Sequence, residues 1–123
     1  MLFVCTGNIC RSPMAAAMAA DLLGRDGPPA ASAGVLAIDG APATPAAASV
    51  CEEIGVDVAG HRARQLTAEL AAEATAIYVM TGAQRRRVLE IAPEVVDRVE
   101  LLRPDGRDVE DPYGLPVEVY RAT

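Results

Sequence analysis

The sequence predicts one α/β domain over residues 1–123, with a parallel sheet covered by helices on both faces. Two observations lead to this fold class. Short apolar runs typical of buried strands alternate along the chain with longer, alanine-rich stretches that favour helix. Cap and proline signals mark where most of these helices begin. Strands that are separated by helices usually pair in parallel, with both faces buried.

The predicted strands are short and apolar. MLFV opens the chain, and AIYVM has the composition of a buried strand. Two further apolar segments complete a predicted sheet of four strands, at residues 1–4, 30–33, 76–80 and 99–102.

The predicted helices begin at hydroxyl side chains, which cap free N–H groups. Ser12 and Thr44 are each followed by a proline, the residue favoured at the first helical position. These two helices are expected to end near Gly24 and at about Ile54, before Gly55. Two more helices are expected after Thr67 and Thr81, and a last one from Leu115 or Pro116. The turn-like segments 24–31, 38–45 and 111–114 connect elements within the domain.

Charge and cysteine content exclude several classes of protein. The net charge of −6, from 11 basic and 17 acidic residues, argues against nonspecific binding to nucleic acid or anionic membranes. We find neither a signal peptide nor an apolar stretch long enough to span a membrane. Three cysteines, an odd and small number, fit a reducing cytoplasm. Their spacing with His61 does not suggest zinc, and we expect no metal and no cofactor.

One loop has the composition of a phosphate-binding site. Cys5 and Arg11 frame five residues in CTGNICRS, directly after the first strand, where ligands bind in parallel α/β folds. The loop N–H groups and the start of the next helix can converge on one anion. Arg11 can bind two phosphate oxygens, and this positive environment favours the thiolate of Cys5. The predicted loop residues are Thr6, Gly7, Asn8, Ile9, Cys10, Arg11 and Ser12.

Two side chains complete the predicted chemistry. Ser12 either caps the helix or donates to the Cys5 sulfur, and both roles are compatible. A phosphate ester also needs an acid that protonates its leaving oxygen. Asp111, in the stiff turn EDPYG, is the best candidate. Cys5, Arg11 and Asp111 are therefore the predicted catalytic residues.

Four blocks of the sequence resemble the low-molecular-weight protein-tyrosine phosphatase family. They are VCTGNICRSPMAAA, SAG at 32–34, GHRARQLT at 60–67 and DPYG at 111–114, in the family's order. The resemblance implies a three-layer flavodoxin-like fold with a four-stranded parallel sheet. It also implies that the phosphoryl group of a phosphorylated protein or peptide substrate is transferred to Cys5. Arg11 would hold the resulting phosphocysteine, and Asp111 would assist its hydrolysis. In the family, Asn8, Ser12, Ser32 and His61 correspond to a hydrogen-bond network that supports the loop.

The substrate class depends on the pocket walls. Tyr113 corresponds to one aromatic wall of the family, whereas Ile38 stands where an aromatic residue is common. Other blocks resemble a bacterial branch that includes protein-arginine phosphatases, which typically has Thr where this chain has Ile9. Ile9 lacks the hydroxyl that would orient a phosphoguanidinium. We therefore expect phosphotyrosine, with phosphoarginine as the alternative.

Further alternatives remain open. Arsenate reductases share this fold and loop but need two more downstream cysteines, and only Cys51 is available. A phosphate-binding module without activity would be expected to lack the nucleophile or the acid. Cys10 either packs the loop or traps oxidised Cys5 as a disulfide. The final helix of the family is expected to be cut short at Thr123, and the oligomeric state is left open.

Overall fold

The computed structural model describes residues 1–23, 30–56, 58, 60–103, 108 and 109. Within these ranges there are four strands and four α-helices; two of the helices follow one another between the second and third strands, and a 3-10 helix precedes the last strand. The strands are β1 (Leu2–Cys5), β2 (Ala31–Gly34), β3 (Ile77–Val79) and β4 (Val99–Leu101). The α-helices are α1 (Arg11–Leu23), α2 (Pro45–Glu53), α3 (Ala68–Glu73) and α4 (Gly82–Ile91), and the 3-10 helix is Pro93–Arg98.

The strands form one parallel sheet in the order β2-β1-β3-β4. β1 is central: Val4 pairs with Ala33 of β2 and with Val79 of β3, and Cys5 pairs with Gly34. The predicted four-stranded parallel sheet is therefore confirmed. Cys5 is the last residue of β1, which places it at the carboxyl edge of the sheet, where parallel α/β folds bind ligands.

Both faces of the sheet are covered, as predicted. Leu2 and Val4 point to a core that also contains Val88 of α4 and Val95 of the 3-10 helix. Phe3 and Cys5 point to the opposite face, where alanines of α1 pack against them. Alternate residues of β1 thus enter opposite cores, which is the side-chain period of a strand buried on both sides.

A third apolar cluster joins α1 to α2. Met14 of α1 packs with Ala47 and Cys51 of α2, and Cys10 of the loop is part of the same cluster. Cys51 is 1% exposed, which confirms its prediction as a small core residue. This cluster holds the start of α1 in place, and with it the end of the candidate loop.

The threonine caps are confirmed, but the serine cap is wrong. Thr44, Thr67 and Thr81 each accept a backbone N–H of the first helical turn. α2 ends at Glu53, and Gly55 follows with a φ of 77°. α1 begins at Arg11, where the Cys10 carbonyl accepts the Met14 N–H. Ser12 therefore lies inside the first turn, and its hydroxyl lies beside the Cys5 sulfur.

Candidate active site

The candidate site is the loop between β1 and α1. Cys5 ends the strand, five residues make the turn, and Arg11 begins the helix. Asn8 has a φ of 58°, the left-handed conformation that asparagine tolerates better than most residues. The side chains of Cys5 and Arg11 are both buried. The strand, the turn and the helix therefore bring the nucleophile and the cation of the predicted motif to one short loop.

Two hydrogen-bond donors face the Cys5 sulfur. The Asn8 N–H lies 3.3 Å from Sγ, and the Ser12 Oγ lies 3.0 Å from it. Asn8 Nδ2 donates to the same Ser12 Oγ at 2.8 Å, so the serine proton is available to the sulfur. The second role predicted for Ser12 agrees with this geometry.

Asn8 connects the loop to the segment that follows α2. Its Oδ1 accepts the Arg64 N–H at 3.0 Å, which fixes the amide with Nδ2 toward Ser12. Its carbonyl oxygen lies 2.6 Å from His61 Nε2, which must bear a proton to make that bond. Asn8, Ser12 and His61 are therefore brought together.

Ser32 is connected to the loop differently from the prediction. Its hydroxyl makes no hydrogen bond to Asn8, Ser12 or His61. Its backbone carbonyl instead accepts Arg64 Nε at 2.9 Å, and the Arg64 N–H donates to Asn8. Among the described residues, Ser32 thus reaches the loop through Arg64, a residue that the sequence did not single out.

The loop carbonyl groups are directed outward. Those of Cys5, Thr6 and Ile9 accept N–H groups of the surrounding scaffold at 3.0, 2.9 and 2.9 Å. The scaffold donors are Val35, Leu36 and Thr44. In a tightly curved loop, outward carbonyl groups leave the N–H groups directed to the inside. That arrangement forms a concave site for an anion.

Gly34 permits the close approach of β2 to the loop. A Cβ at this position would lie 2.6 Å from the Thr6 carbonyl oxygen and 3.0 Å from the Asn8 nitrogen. Real side chains essentially never come so close to backbone atoms. The glycine of the SAG block is therefore required by the packing of the loop, and not by a turn of its own.

Arg11 connects the loop to the last described residues. Its Nη1 donates to the Val109 carbonyl at 2.8 Å, and the Val109 N–H donates to Met80 at the end of β3. Asp108 accepts the N–H of Gly82, the first residue of α4. The segment that precedes Asp111 in sequence is therefore held beside Arg11. Asp111 itself, like Tyr113 and the predicted last helix, lies outside the described residues.

Gln84 is a site residue that the sequence analysis missed. It is 3% exposed, and its side chain reaches Thr6 from the first turn of α4, with 3.0 Å between Nε2 and Thr6 Oγ1. Thr81 and Gln84 form a capping box, which the pattern T-x-x-Q could have indicated. The contact with Thr6 spans 78 residues and has no local signal.

Apolar side chains lie beside the loop. Ile9 is partly buried against the cluster between α1 and α2. Ile38, a predicted pocket wall, is 80% exposed, and Leu36 is 77% exposed. Leu36 donates its N–H to Thr6, so it follows the loop rim closely, although the sequence analysis did not select it.

The remaining thiols are buried. Cys5, Cys10 and Cys51 are all free cysteines. Cys10 packs with Met14 and Cys51, in a different cluster from Cys5, which agrees with its predicted packing role. Its disulfide with Cys5 stays a prediction. Burial raises the pKa of the Cys51 thiol, as expected for a group whose charged form is disfavoured in an apolar cluster.

Among the described residues, no group of three or more His, Cys, Asp or Glu side chains has the arrangement of a metal site. Within that part of the chain, no helix has the length and apolarity needed to cross a membrane.

Comparison with known proteins identifies the family. The family model for low molecular weight phosphotyrosine protein phosphatase matches residues 1–123. A protein-arginine-phosphatase of Geobacillus stearothermophilus is 42% identical over 127 residues, covering 99% of this chain and 84% of that protein. A probable low molecular weight protein-tyrosine-phosphatase, EpsP of Ralstonia solanacearum, is 43% identical over 114 residues, covering 92% of this chain and 77% of the relative.

Solved structures agree with the sequence relatives. Vibrio vulnificus Wzb in complex with benzylphosphonate superposes with a TM-score of 0.93 at 34% identity, over 98% of this chain and 86% of that one. The YwlE arginine phosphatase from Geobacillus stearothermophilus has a TM-score of 0.90 at 40% identity, over 98% of this chain and 80% of that one. The chain described here belongs to the low molecular weight phosphotyrosine protein phosphatase family.

Proposed function

We propose that this protein hydrolyses phosphotyrosine in phosphorylated proteins, through a phosphocysteine on Cys5 and in one domain over residues 1–123. The observation that supports it most directly is the pair of hydrogen bonds to the Cys5 sulfur, from the Asn8 N–H and Ser12. A buried structural thiol would have no use for two donors. A thiolate nucleophile needs them before attack and again as a leaving group.

The first step transfers the phosphoryl group to sulfur. The Cys5 thiolate attacks phosphorus, the S–P bond forms, and the P–O bond to the substrate breaks. The loop N–H groups and Arg11 stabilise the charge on the phosphoryl oxygens. Asp111 donates a proton to the departing phenolic oxygen. Arg11 already contacts the Val109 carbonyl, two residues before Asp111 in sequence, which supports this pairing of cation and acid.

The second step releases phosphate. Ionised Asp111 takes a proton from water, the oxygen attacks phosphorus, and the S–P bond breaks with its electrons on Cys5. The Ser12 proton stabilises the departing thiolate, since Asn8 already donates to the serine oxygen. Phosphate then leaves with the enzyme restored. Thiolate, arginine and backbone dipoles supply all the charge that this sequence of steps requires.

Hydrolysis of p-nitrophenyl phosphate tests the enzymatic activity. The wild-type protein should release p-nitrophenol, and Cys5→Ser should reduce turnover to background while leaving the fold intact by circular dichroism. Rapid acid quenching with a ³²P-labelled phosphopeptide should trap label on the wild-type protein and none on Cys5→Ala, which has no nucleophilic atom at this position. If Cys5→Ser still hydrolyses p-nitrophenyl phosphate above background, the proposal is wrong.

Phosphoarginine is the second candidate substrate. It is supported by the 42% identity to the Geobacillus stearothermophilus protein-arginine-phosphatase. Against it, Ile9 places an apolar side chain in the loop, and exposed Leu36, whose N–H donates to Thr6, adds apolar surface at its rim, which suits an aromatic ring better than a guanidinium. Matched phosphotyrosine and phosphoarginine peptides should give the higher kcat/KM for phosphotyrosine. The reverse order would reassign the substrate and keep the mechanism.

We also propose a reducing compartment such as the cytoplasm as the place of action. All three cysteines are free thiols, and the proposed chemistry requires Cys5 to be reduced. Activity should fall under mild peroxide and return with a thiol reductant. Full activity at peroxide concentrations that oxidise a free thiol would contradict this requirement.

A further inference from the structure

The hydroxyl group of Thr6 lies at the rim of the loop, one residue after the nucleophile. The Thr6 side chain is exposed, although the residues on both sides of the loop are largely buried. Its backbone is fixed, because the Thr6 carbonyl accepts the Leu36 N–H at 2.9 Å. Its Oγ1 lies 3.0 Å from the buried Gln84 Nε2. The position of this hydroxyl is therefore determined from two directions.

The orientation of the Gln84 amide is determined as well. Its Oε1 accepts two backbone N–H groups, those of Met80 at 3.0 Å and Thr81 at 3.1 Å. An amide nitrogen cannot accept from either donor, so the oxygen must face the end of β3. The nitrogen must then face Thr6, and it can only donate.

The Thr6 hydroxyl consequently acts as an acceptor toward Gln84. A hydroxyl group has one proton, and here that proton must point away from Gln84. Within the part of the chain that the structure describes, no acceptor lies within hydrogen-bond distance of it. The proton is thus directed outward at the rim of the loop, beside the place where the substrate must enter.

We infer that Thr6 donates a hydrogen bond to a phosphoryl oxygen of the bound substrate, and that Gln84 is the positioning residue that turns its proton outward. The inference rests on the proposed function and adds a substrate-contacting side chain to it. A similar amide–hydroxyl pair is present within the loop, where the Asn8 amide donates to Ser12 and makes the serine proton available to Cys5. Two amide–hydroxyl pairs would then prepare two donors, one for sulfur and one for phosphate.

Replacement of Thr6 tests the donor. Thr6→Val keeps the shape and removes the hydroxyl, while Thr6→Ser keeps the hydroxyl. We expect T6V to raise the Kd for inorganic phosphate by about 10- to 100-fold, as for loss of a hydrogen bond to a charged group. T6S should stay within about three-fold of wild type, since its hydroxyl can make the same bonds. Isothermal titration calorimetry with phosphate measures this without any turnover.

Replacement of Gln84 tests the orientation. Gln84→Glu keeps the oxygen that accepts from Met80 and Thr81, but it presents a second acceptor to Thr6. The threonine would then donate inward, and its proton would be lost to the substrate. We expect Q84E to weaken phosphate binding strongly in the wild-type background, and clearly less in the T6V background, where only the added charge acts. Thermal denaturation should show that Q84E is folded in both backgrounds, because glutamate at position 84 preserves the capping box with Thr81.

Two outcomes overturn the inference. If T6V leaves the phosphate Kd and kcat/KM within about two-fold of wild type, then Thr6 donates nothing to the substrate. If Q84E weakens phosphate binding equally with and without the Thr6 hydroxyl, then Gln84 does not act through Thr6. In either case a wild-type protein that hydrolyses phosphopeptides leaves the proposed function standing. A wild-type protein that neither binds nor releases phosphate would overturn both.

Discussion

Asn8 takes part in four of the hydrogen bonds that hold the loop. Its backbone N–H and side-chain amide donate to Cys5 and Ser12, and its two oxygens accept from His61 and Arg64. The residue is also fully buried and in the left-handed conformation. At the scale of single residues, the site therefore depends on one asparagine that satisfies several partners at once.

Asn8→Ala should destabilise the protein and abolish most of its activity. The change leaves the Arg64 N–H and the Ser12 hydroxyl without their partner, and alanine tolerates a φ of 58° less well. We expect the free energy of unfolding, measured with urea, to fall by about 2–4 kcal/mol. Asn8→Asp is the matched control, because it still accepts from Arg64. It should lose less stability but take the Ser12 proton away from Cys5. Equal stability of Asn8→Ala and wild type would contradict the prediction.

Ser12→Ala should slow the breakdown of the phosphocysteine more than its formation. The hydroxyl stabilises the leaving thiolate, so its loss should lower kcat by about ten-fold and make a burst of p-nitrophenol visible in stopped flow. Ser32→Ala is the control, since the Ser32 hydroxyl makes no hydrogen bond to Asn8, Ser12 or His61. If both variants slow turnover equally, the Ser12 hydroxyl has no specific role.

At the scale of elements, three junctions shape the loop from outside. The residues after β2 bind the loop carbonyl groups, Arg64 donates to Asn8, and the first turn of α4 reaches Thr6 through Gln84. The β3–α4 junction also binds Asp108 and Val109, near the segment predicted to contain the acid. The phosphate loop and residues 108 and 109 therefore share a common support.

Gly34→Ala should disturb the loop although residue 34 lies outside it. The new Cβ would lie 2.6 Å from the Thr6 carbonyl oxygen, so either β2 or the loop must move. We expect a loss of about 1–3 kcal/mol in the free energy of unfolding, together with weaker phosphate binding.

Gly60→Ala is the control for this substitution, because a Cβ there meets no atom within 4 Å. Urea denaturation and phosphate titration of both variants measure the difference. Wild-type phosphate affinity in Gly34→Ala would show that the close approach of β2 is not needed for the loop.

At the scale of the whole molecule, the buried Cys51 thiol links stability to pH. Burial raises the pKa of Cys51 in the folded protein, so the folded thiol stays protonated where the unfolded one ionises. Above the ordinary thiol pKa of about 8.5, the unfolded state then binds fewer protons than the folded state. The stability contributed by this thiol is complete below that pH and is lost as the pH rises.

The free energy of unfolding should therefore decrease from about pH 8.5 upward. Cys51→Ala should be less stable at neutral pH, since it leaves a small cavity between α1 and α2, but its stability should fall less steeply with pH. Urea denaturation of both proteins between pH 7 and pH 10 measures the two slopes. Identical slopes would show that Cys51 does not titrate differently on unfolding.

The sequence by itself determined the strand and helix order and the place of the phosphate loop. These features depend on local signals: apolar runs, threonine caps, and a Cys and an Arg framing five residues. For the same reason the order of the strands and α-helices from β1 to β4 and three of the four predicted caps are confirmed, while the predicted last helix lies outside the described residues. Ser12 was the exception, because its hydroxyl has a better partner in Cys5 than in its own helix.

Only the tertiary structure decided how the loop is held and which protons face the nucleophile. Gln84 reaches Thr6 across 78 residues of sequence, and Arg64 reaches Asn8 across 56. Such contacts depend on which elements the parallel sheet brings to its carboxyl edge, and no local pattern encodes them. The direction of each hydroxyl proton depends in turn on an amide that backbone N–H groups fix, those of Met80 and Thr81 for Gln84 and that of Arg64 for Asn8. The reactive residues of the loop are therefore close together in sequence, whereas contacts with the rest of the fold determine the loop's geometry.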